Sequence, residues 1–268
     1  MRKIAFIGVG NMANAIIGGL LRSGAVDCPH LILSDKLPEK CTPYTEGGAT
    51  LAASPAEAAA AADCVVLAVK PQSFPEVLDE LSAVAGIQNK LIVTIAAGIT
   101  AESVRTAMRG APVVRVLPNT PMLIGMGVSV ICRAPDVDPA DFAFVSAMFE
   151  ASGSVTVIDE AEMNRIISVT SSSPAYVFAF IDAICRGATA QGLDGDALLP
   201  AVCDMVIGSA TLLRDGGLTP AEQISRVTSK GGTTERAMAV LYEADLTGTV
   251  ETAMKACTKR ADELATRS

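Results

Sequence analysis

The sequence predicts a doubly wound α/β domain over residues 1–160 followed by an all-α domain over residues 161–268, and three observations predict it. Short β-branched runs alternate with helical patterns through the first part of the chain, as a βαβ architecture requires. Those runs are apolar on both faces, which suits strands of a parallel sheet covered by helices on each side. After Asp159 the strand-like runs stop, and only helical patterns follow.

The expected strands are residues 3–7, 30–34, 64–69, 91–95, 113–117, 128–131 and 155–158, with helical patterns such as 11–22, 55–62, 101–108 and 139–151 between them. In the second part the helical stretches are 160–172, 174–191, 196–214, 220–228, 234–243 and 249–266. Thr219-Pro220-Ala221-Glu222 reads as a helix start, with a Thr cap, Pro in the first turn and Glu closing a capping box. Glycine pairs at Gly216-Gly217 and Gly231-Gly232 mark breaks. The stretches 174–191 and 196–214 are apolar nearly all round, Asp182 and Asp204 excepted. A helix with no polar face must be covered on every side, and about a hundred helical residues cannot easily cover two such helices. A partner subunit is therefore expected, as a homodimer or a larger assembly of dimers. The other reading is a central helix buried within one chain.

Composition excludes several classes of function. Apolar residues make up 50% of the chain and aromatics only 4%, so aliphatic side chains carry the core. The formal charge is −8, and Lys and Arg are scattered singly rather than clustered, so no nucleic-acid partner is expected. Seven cysteines at irregular spacing, none in a C-x-x-C pair, fit reduced thiols in a cytoplasmic protein better than disulfides or a zinc site. One histidine, His30, cannot build a multi-histidine metal centre, and no metal is expected. Met1-Arg2-Lys3 and the apolar residues after it mimic a secretory signal, but Asn11 and Asn14 interrupt the run. No uninterrupted apolar segment approaches the ~18 residues of a membrane span, so no membrane partner is expected.

Gly8-Val9-Gly10-Asn11-Met12-Ala13 lies between the first strand and the first helix, giving G-x-G-x-x-A in the context of a dinucleotide-binding Rossmann domain. Gly8 permits the tight turn, Gly10 lets a pyrophosphate approach the backbone, and Ala13 lets the helix pack on the strand. The helix start at Asn11, Met12 and Ala13 offers amides to the phosphates. Glycines serving a sharp turn in some other α/β protein are the competing reading. At the end of the second strand, Asp35 would bond a ribose 2′-hydroxyl and favour NAD, whereas Ser34 and Lys36 could hold a 2′-phosphate if Asp35 turns away. The residues leave both cofactors open. Ala68-Val69-Lys70-Pro71, Ala96-Ala97-Gly98 and the loop with Asn119 recur at the carboxyl ends of later strands, the edge where open sheets bind ligands. They are expected around the nicotinamide half.

Another glycine-marked stretch, Ser229-Lys230-Gly231-Gly232-Thr233-Thr234, leads into a helix. Its amides could hold a carboxylate and a Thr hydroxyl could bond a small molecule's nitrogen or oxygen. An interhelical turn with Thr as a cap is the plainer reading.

With these segments in view, the chain resembles the pyrroline-5-carboxylate reductases from end to end. The resemblance rests on Ile7 to Met12, Ala68 to Pro71, Val114-Arg115-Val116-Leu117-Pro118-Asn119-Thr120-Pro121, Ser173-Pro174-Ala175-Tyr176-Val177, and Pro220 to Leu241 around Gly231-Gly232-Thr233-Thr234. The last stretch is the family's specific signature. The chain departs from the family where Ser171-Ser172-Ser173-Pro174 replaces the usual Gly-Ser-Gly-Pro, and at Met238 and Tyr242. Pro55 stands where some members carry a cofactor-contacting Asn, and nothing is carried onto it. The resemblance implies hydride transfer from a dihydronicotinamide to the C=N carbon of a cyclic imine, giving L-proline in the last step of proline biosynthesis. It implies that Thr234 hydrogen-bonds the imine nitrogen, that the amides of the Gly231-Gly232-Thr233 turn help hold the carboxylate, and that NADPH is used more than NADH.

Three rivals remain. A 3-hydroxyacid dehydrogenase needs a lysine on a helix after the Rossmann domain, and no lysine occurs between Lys90 and Lys230. A cofactor-binding redox sensor without catalysis is at odds with the retained Gly-Gly-Thr-Thr stretch. A reductase of a related cyclic imine differs by one methylene, worth only ~1–3 kcal/mol of discrimination.

Overall fold

The computed structural model describes residues 1–133 and 137–265; the expected ends at residues 266 and 268 lie outside them. Eight strands form one sheet: β1 Ile4–Ile7, β2 Leu31–Ser34, β3 Thr50–Leu51, β4 Cys64–Leu67, β5 Leu91–Thr94, β6 Val113–Leu117, β7 Gly127–Arg133 and β8 Gly153–Ile158. They lie in the order β3-β2-β1-β4-β5-β6-β7-β8. All neighbouring pairs are parallel except β6 with β7. The first six positions are those of a doubly wound dinucleotide-binding sheet, and the Rossmann-type expectation holds. The chain leaves β1 in one direction for β2 and β3 and resumes on the other side at β4. That reversal opens a crevice at the carboxyl ends of β1 and β4.

Every residue of β1, β2, β4, β5 and β6 is buried, which is why each reads as a continuous apolar run. The two-residue β3 is exposed and too short to leave a pattern, and no strand was expected there. Edge strand β8 has no fully buried position, alternating between partly covered and exposed over Gly153 to Thr156 and then exposing Val157 as well.

Helices in this part are α1 Asn11–Ser23, α2 Thr42–Thr45, α3 Pro55–Ala61, α4 Phe74–Ser82, α5 Ala101–Ala107, α6 Pro139–Glu150 and α7 Met163–Ile166, with a π turn over Ile167–Ser171. Local chemistry sets several starts. Ser54 caps α3 and Thr100 caps α5 by accepting the Glu57 and Ser103 amides. In α4, Phe74, Val77 and Leu81 form the buried stripe.

The chain continues as α8 Ser173–Ala190, α9 Leu199–Asp215, α10 Pro220–Val227, α11 Thr233–Glu243 and α12 Leu246–Ala265. The capping box at Thr219 and Glu222 forms with both of its hydrogen bonds. By packing, however, the compact units divide elsewhere than at residue 160. One holds Met1–Pro174 together with the chain from Ala256 onward, and the other is Ala175–Lys255. The physical reason lies in a small second core, where Ala261 of α12 joins Leu117, Val130, Cys132, Met163 and Ile167. Sequence patterning shows where strands end, but not which helices return to the sheet.

The unit Ala175–Lys255 contains little core of its own. Cys185 is the one buried residue of α8 and Val202 that of α9, whereas Phe178, Ile207 and Val240 are 62%, 57% and 63% exposed. The helical stretch Glu160–Ala190 is long and apolar enough to cross a membrane by length and composition, with 11% of its most apolar window buried. Scattered polar residues hid this from a search for uninterrupted apolar runs.

Candidate functional site

The site begins where β1 runs into α1. Gly8 adopts a φ of +92°, and a Cβ built there would meet the Ala68 carbonyl oxygen at 2.9 Å. Its own amide donates to the Ser34 carbonyl at 2.7 Å, tying the turn to β2. Gly10 differs: its backbone is extended and a Cβ would meet nothing within 4 Å. Glycine at 8 is thus demanded by the fold, while glycine at 10 leaves open space above the start of α1. No side chain caps that helix and no acidic residue occupies its first turn. The amides of Asn11, Met12 and Ala13 face the end of the helix that attracts an anion. Ala13 is buried against the core.

A cleft of ≈ 380 Å³ opens beside this turn. Of the residues expected to bind cofactor, Gly8, Gly10, Ser34, Asp35, Lys36, Ala68, Val69 and Lys70 line it. Asn11, Met12 and Ala13 stand at the helix start beside it without lining it. Sequence reasoning missed Lys40, Ala53, Ser73 and Glu76 on its walls, and left Pro55 unassigned although it lines the cleft. A second cation five residues after Asp35 was the available signal for Lys40.

Asp35 is committed inward. One carboxylate oxygen accepts the Val9 amide at 2.7 Å, and the other accepts the Leu37 amide at 2.9 Å with Lys40 Nζ 3.4 Å away. Burial alone would raise this carboxyl, but the two amides and Lys40 outweigh it and hold it below the usual carboxylate value. The carboxylate fastens the glycine turn to the end of β2.

Pro71, Ala96, Ala97, Gly98 and Asn119 lie outside the cleft, though on the carboxyl-end edge shared by β4, β5 and β6. Gly98 has a φ of +76°, and a Cβ there would come within 2.6 Å of Leu264 Cβ. Its missing side chain therefore makes room for α12. Asn119 accepts the Val128 amide of β7 at 2.9 Å and donates to the Thr170 carbonyl at 3.1 Å, tying the π turn to β7. These residues shape the edge as much as they line it.

Arg115 lies in β6, within the stretch Val114 to Pro121. It is 1% exposed, donating to Glu160 at 2.8 Å and to Asn164 at 2.8 Å. Asn164 in turn donates to Asp262 of α12 at 2.9 Å. A charged residue inside an apolar strand run was the signal for this network. Among the described residues, no three His, Cys, Asp or Glu side chains gather as metal ligands would.

In the unit Ala175–Lys255, the turn before α11 is shaped by Gly231 at a φ of +76°. The Gly231 amide donates to Glu235 at 2.8 Å, and the Gly232 amide to the Ser229 carbonyl at 2.9 Å. Both of these amides are thus used within the turn itself. Gly232 is the N-cap, and Glu235 in the first turn already places its carboxylate on the Gly231 amide, so the Thr233 and Thr234 amides are the ones left for an anion.

Residues 160–264 match the family model described as pyrroline-5-carboxylate reductase dimerisation, and residues 3–98 that described as NADP oxidoreductase, coenzyme F420-dependent. The chain is 34% identical to the pyrroline-5-carboxylate reductase of Escherichia coli over 265 residues, covering 98% of each chain. It is 35% identical to that of Haemophilus influenzae over 268 residues, covering 99% of this chain and 98% of the relative. Its fold matches the crystal structure of the Plasmodium falciparum pyrroline carboxylate reductase with NADP bound, at a TM-score of 0.91 and 23% identity over 98% of each chain.

Proposed function

Because the chain belongs to the pyrroline-5-carboxylate reductase family, we propose that it reduces 1-pyrroline-5-carboxylate to L-proline with NADPH, the last step of proline biosynthesis. It is an oxidoreductase acting on a CH–NH bond with NAD(P). The observation that carries this reading is identity of 34–35% over nearly the whole chain, with the glycine turn and the Gly-Gly-Thr-Thr turn both retained.

The residues present fit a dinucleotide. Open space above Gly10 and uncapped amides at the start of α1 suit a pyrophosphate, and the cleft walls carry Lys36 and Lys40 for a phosphorylated ribose. When bound, the dihydronicotinamide supplies a hydride. The chain's own residues bind, orient and hold a proton. Once the imine is protonated at nitrogen its C=N carbon is already electrophilic, so the protein's main work is positioning and exclusion of water. Thr234 Oγ1 hydrogen-bonds the ring nitrogen and keeps the C=N plane in one orientation. The amides at the start of α11 take the substrate carboxylate, with Thr233 and Thr234 better placed than the already committed Gly231 and Gly232. One hydride at carbon and one proton at nitrogen convert the imine to the secondary amine of L-proline.

The scarcity of core in Ala175–Lys255 and the exposed Phe178, Ile207 and Val240 support a homodimer in which a second copy covers these helices. On this reading the apolar stretch Glu160–Ala190 meets protein, not lipid, and the enzyme works in the cytoplasm.

Steady NADPH oxidation with pyrroline-5-carboxylate tests the activity. Thr234→Ala should lower kcat about 10–100-fold while the NADPH Kd stays within twofold, and Thr234→Ser should recover most of it. Equal loss of turnover and cofactor affinity would place the substrate elsewhere. A six-membered cyclic imine turned over faster than the five-membered one would favour the related-imine reading.

A further inference from the structure

The cleft at the end of β2 contains an ion pair that the reading above does not use. Lys36 Nζ lies 2.7 Å from Glu76 Oε2, and both residues line the cleft. Lys36 follows Asp35 directly, while Glu76 comes from the first turn of α4. Their side chains are 73% and 69% exposed, so the pair is held by little more than its own attraction across the mouth.

The two cations near this strand end are not equivalent. Lys40 lies against Asp35, whose carboxylate is 10% exposed and pinned by two backbone amides. Its partner cannot move away without releasing the glycine turn. The partner of Lys36 is a solvated carboxylate on a flexible stem. In a dinucleotide fold the adenosine ribose sits at the end of the second strand, beside the acid there. A residue immediately after that acid is within reach of the ribose 2′ substituent.

We propose that Glu76 is a specificity-determining residue, competing with the 2′-phosphate of NADPH for Lys36 and so narrowing the preference for NADPH over NADH. The proposal rests on the NADP(H) reading above and deepens it. A 2′-phosphate brings nearly two negative charges, enough to draw Lys36 from an exposed carboxylate. It must then break the Lys36–Glu76 pair and tolerate the released carboxylate across the same cleft. NADH brings a hydroxyl in place of the phosphate and leaves the pair intact. Removing the charge at residue 76 should therefore act on the phosphorylated cofactor alone.

Equilibrium binding reads this directly, independent of turnover. Dissociation constants are measured for NADPH and NADH by dihydronicotinamide fluorescence, and for 2′,5′-ADP and 5′-ADP by calorimetry. The proteins are full-length wild type, Glu76→Gln, Lys36→Gln and the double variant. Glu76→Gln should tighten NADPH and 2′,5′-ADP about three- to tenfold and change NADH and 5′-ADP less than twofold. Lys36→Gln should weaken NADPH about tenfold, and in that background Glu76→Gln should give a smaller gain. The differences should shrink at high salt, because both charges are exposed. A Glu76→Gln protein that binds both cofactors with an unchanged ratio would overturn the proposal and leave the NADPH reading standing. Wild-type protein that binds NADH but neither NADPH nor 2′,5′-ADP would overturn both.

Discussion

Gly8 and Gly10 belong to the same motif, and the structure predicts that replacing them has opposite consequences. Gly8→Ala puts a side chain on a residue with a φ of +92°, a conformation costing an L residue ~1–2 kcal/mol. It also drives a Cβ to 2.9 Å from the Ala68 carbonyl oxygen, and that atom belongs to backbone leaving β4. Backbone cannot step aside as a flexible side chain does, so the strain adds roughly another 1–2 kcal/mol. Together these give a loss of ~2–4 kcal/mol, or a fall in Tm of roughly 5–15 °C for a chain of this size. Gly10→Ala meets no atom within 4 Å and keeps an extended backbone, so it costs the fold nothing. Narrowing the unfolded ensemble should even stabilise it by ~0.4–1 kcal/mol. The added methyl instead occupies the space a pyrophosphate needs, and should weaken NADPH binding tenfold or more, about 1.4 kcal/mol. Thermal melts without cofactor, at equal protein concentration, give the first pair of values, and fluorescence titration with NADPH gives the second. Wild-type affinity in Gly10→Ala would refute the placement of the pyrophosphate. A Gly8→Ala melt equal to wild type would refute the steric argument.

Other consequences can be checked with the same protein. The lowered Asp35 carboxyl adds stability that is full above the unfolded-state value near pH 4 and is lost as pH falls through the folded-state value. Asp35→Asn should therefore cost about 1–2 kcal/mol at neutral pH, with a gap to wild type that closes in urea melts below pH 4. Arg115→Met removes the guanidinium donor from Glu160 and Asn164, while the Ala101 amide still donates to Glu160 at 3.4 Å. Glu160 keeps the Ala101 amide and its side chain is 38% exposed, so the cost should be about 2–3 kcal/mol rather than that of a fully buried pair. Adding Glu160→Gln should restore part of the loss in denaturant titrations. Phe178→Asp should convert the dimer to monomer in sedimentation at micromolar concentration. A monomeric wild type would remove the basis for that expectation.

The sheet was legible because its strands are buried on both faces and written as apolar runs, and the glycine motif was legible because its place between strand and helix is physically constrained. What the sequence hid is specific. Asp35 reads as a ribose ligand by position, yet its two oxygens are committed to the Val9 and Leu37 amides, a use of a carboxylate that no spacing rule encodes. Gly98 reads as part of the edge around the nicotinamide half, but its φ of +76° and the nearness of Leu264 give it a packing role. Leu264 lies far along the chain, and only tertiary structure brings it there. Lys36 and Glu76 are forty residues apart in the chain, so their pairing is equally invisible to local reading.

These cases share a cause. Where an element is made of backbone, as at Gly8 and Gly10, sequence alone is informative, because glycine's freedom leaves few other reasons for its placement. Where it is made of side-chain charge, each residue has several partners within reach, and the fold decides among them. On the proposed binding mode, the pyrophosphate end rests on glycines whose replacement disturbs either the fold, as at Gly8, or the ligand, as at Gly10, whereas the ribose end rests on exposed charges such as Lys36 and Glu76 that can be exchanged at little cost in stability. Preference between the two nicotinamide cofactors is consequently the property of this enzyme most open to change by single surface substitutions, and the one that the glycine motif leaves unspecified.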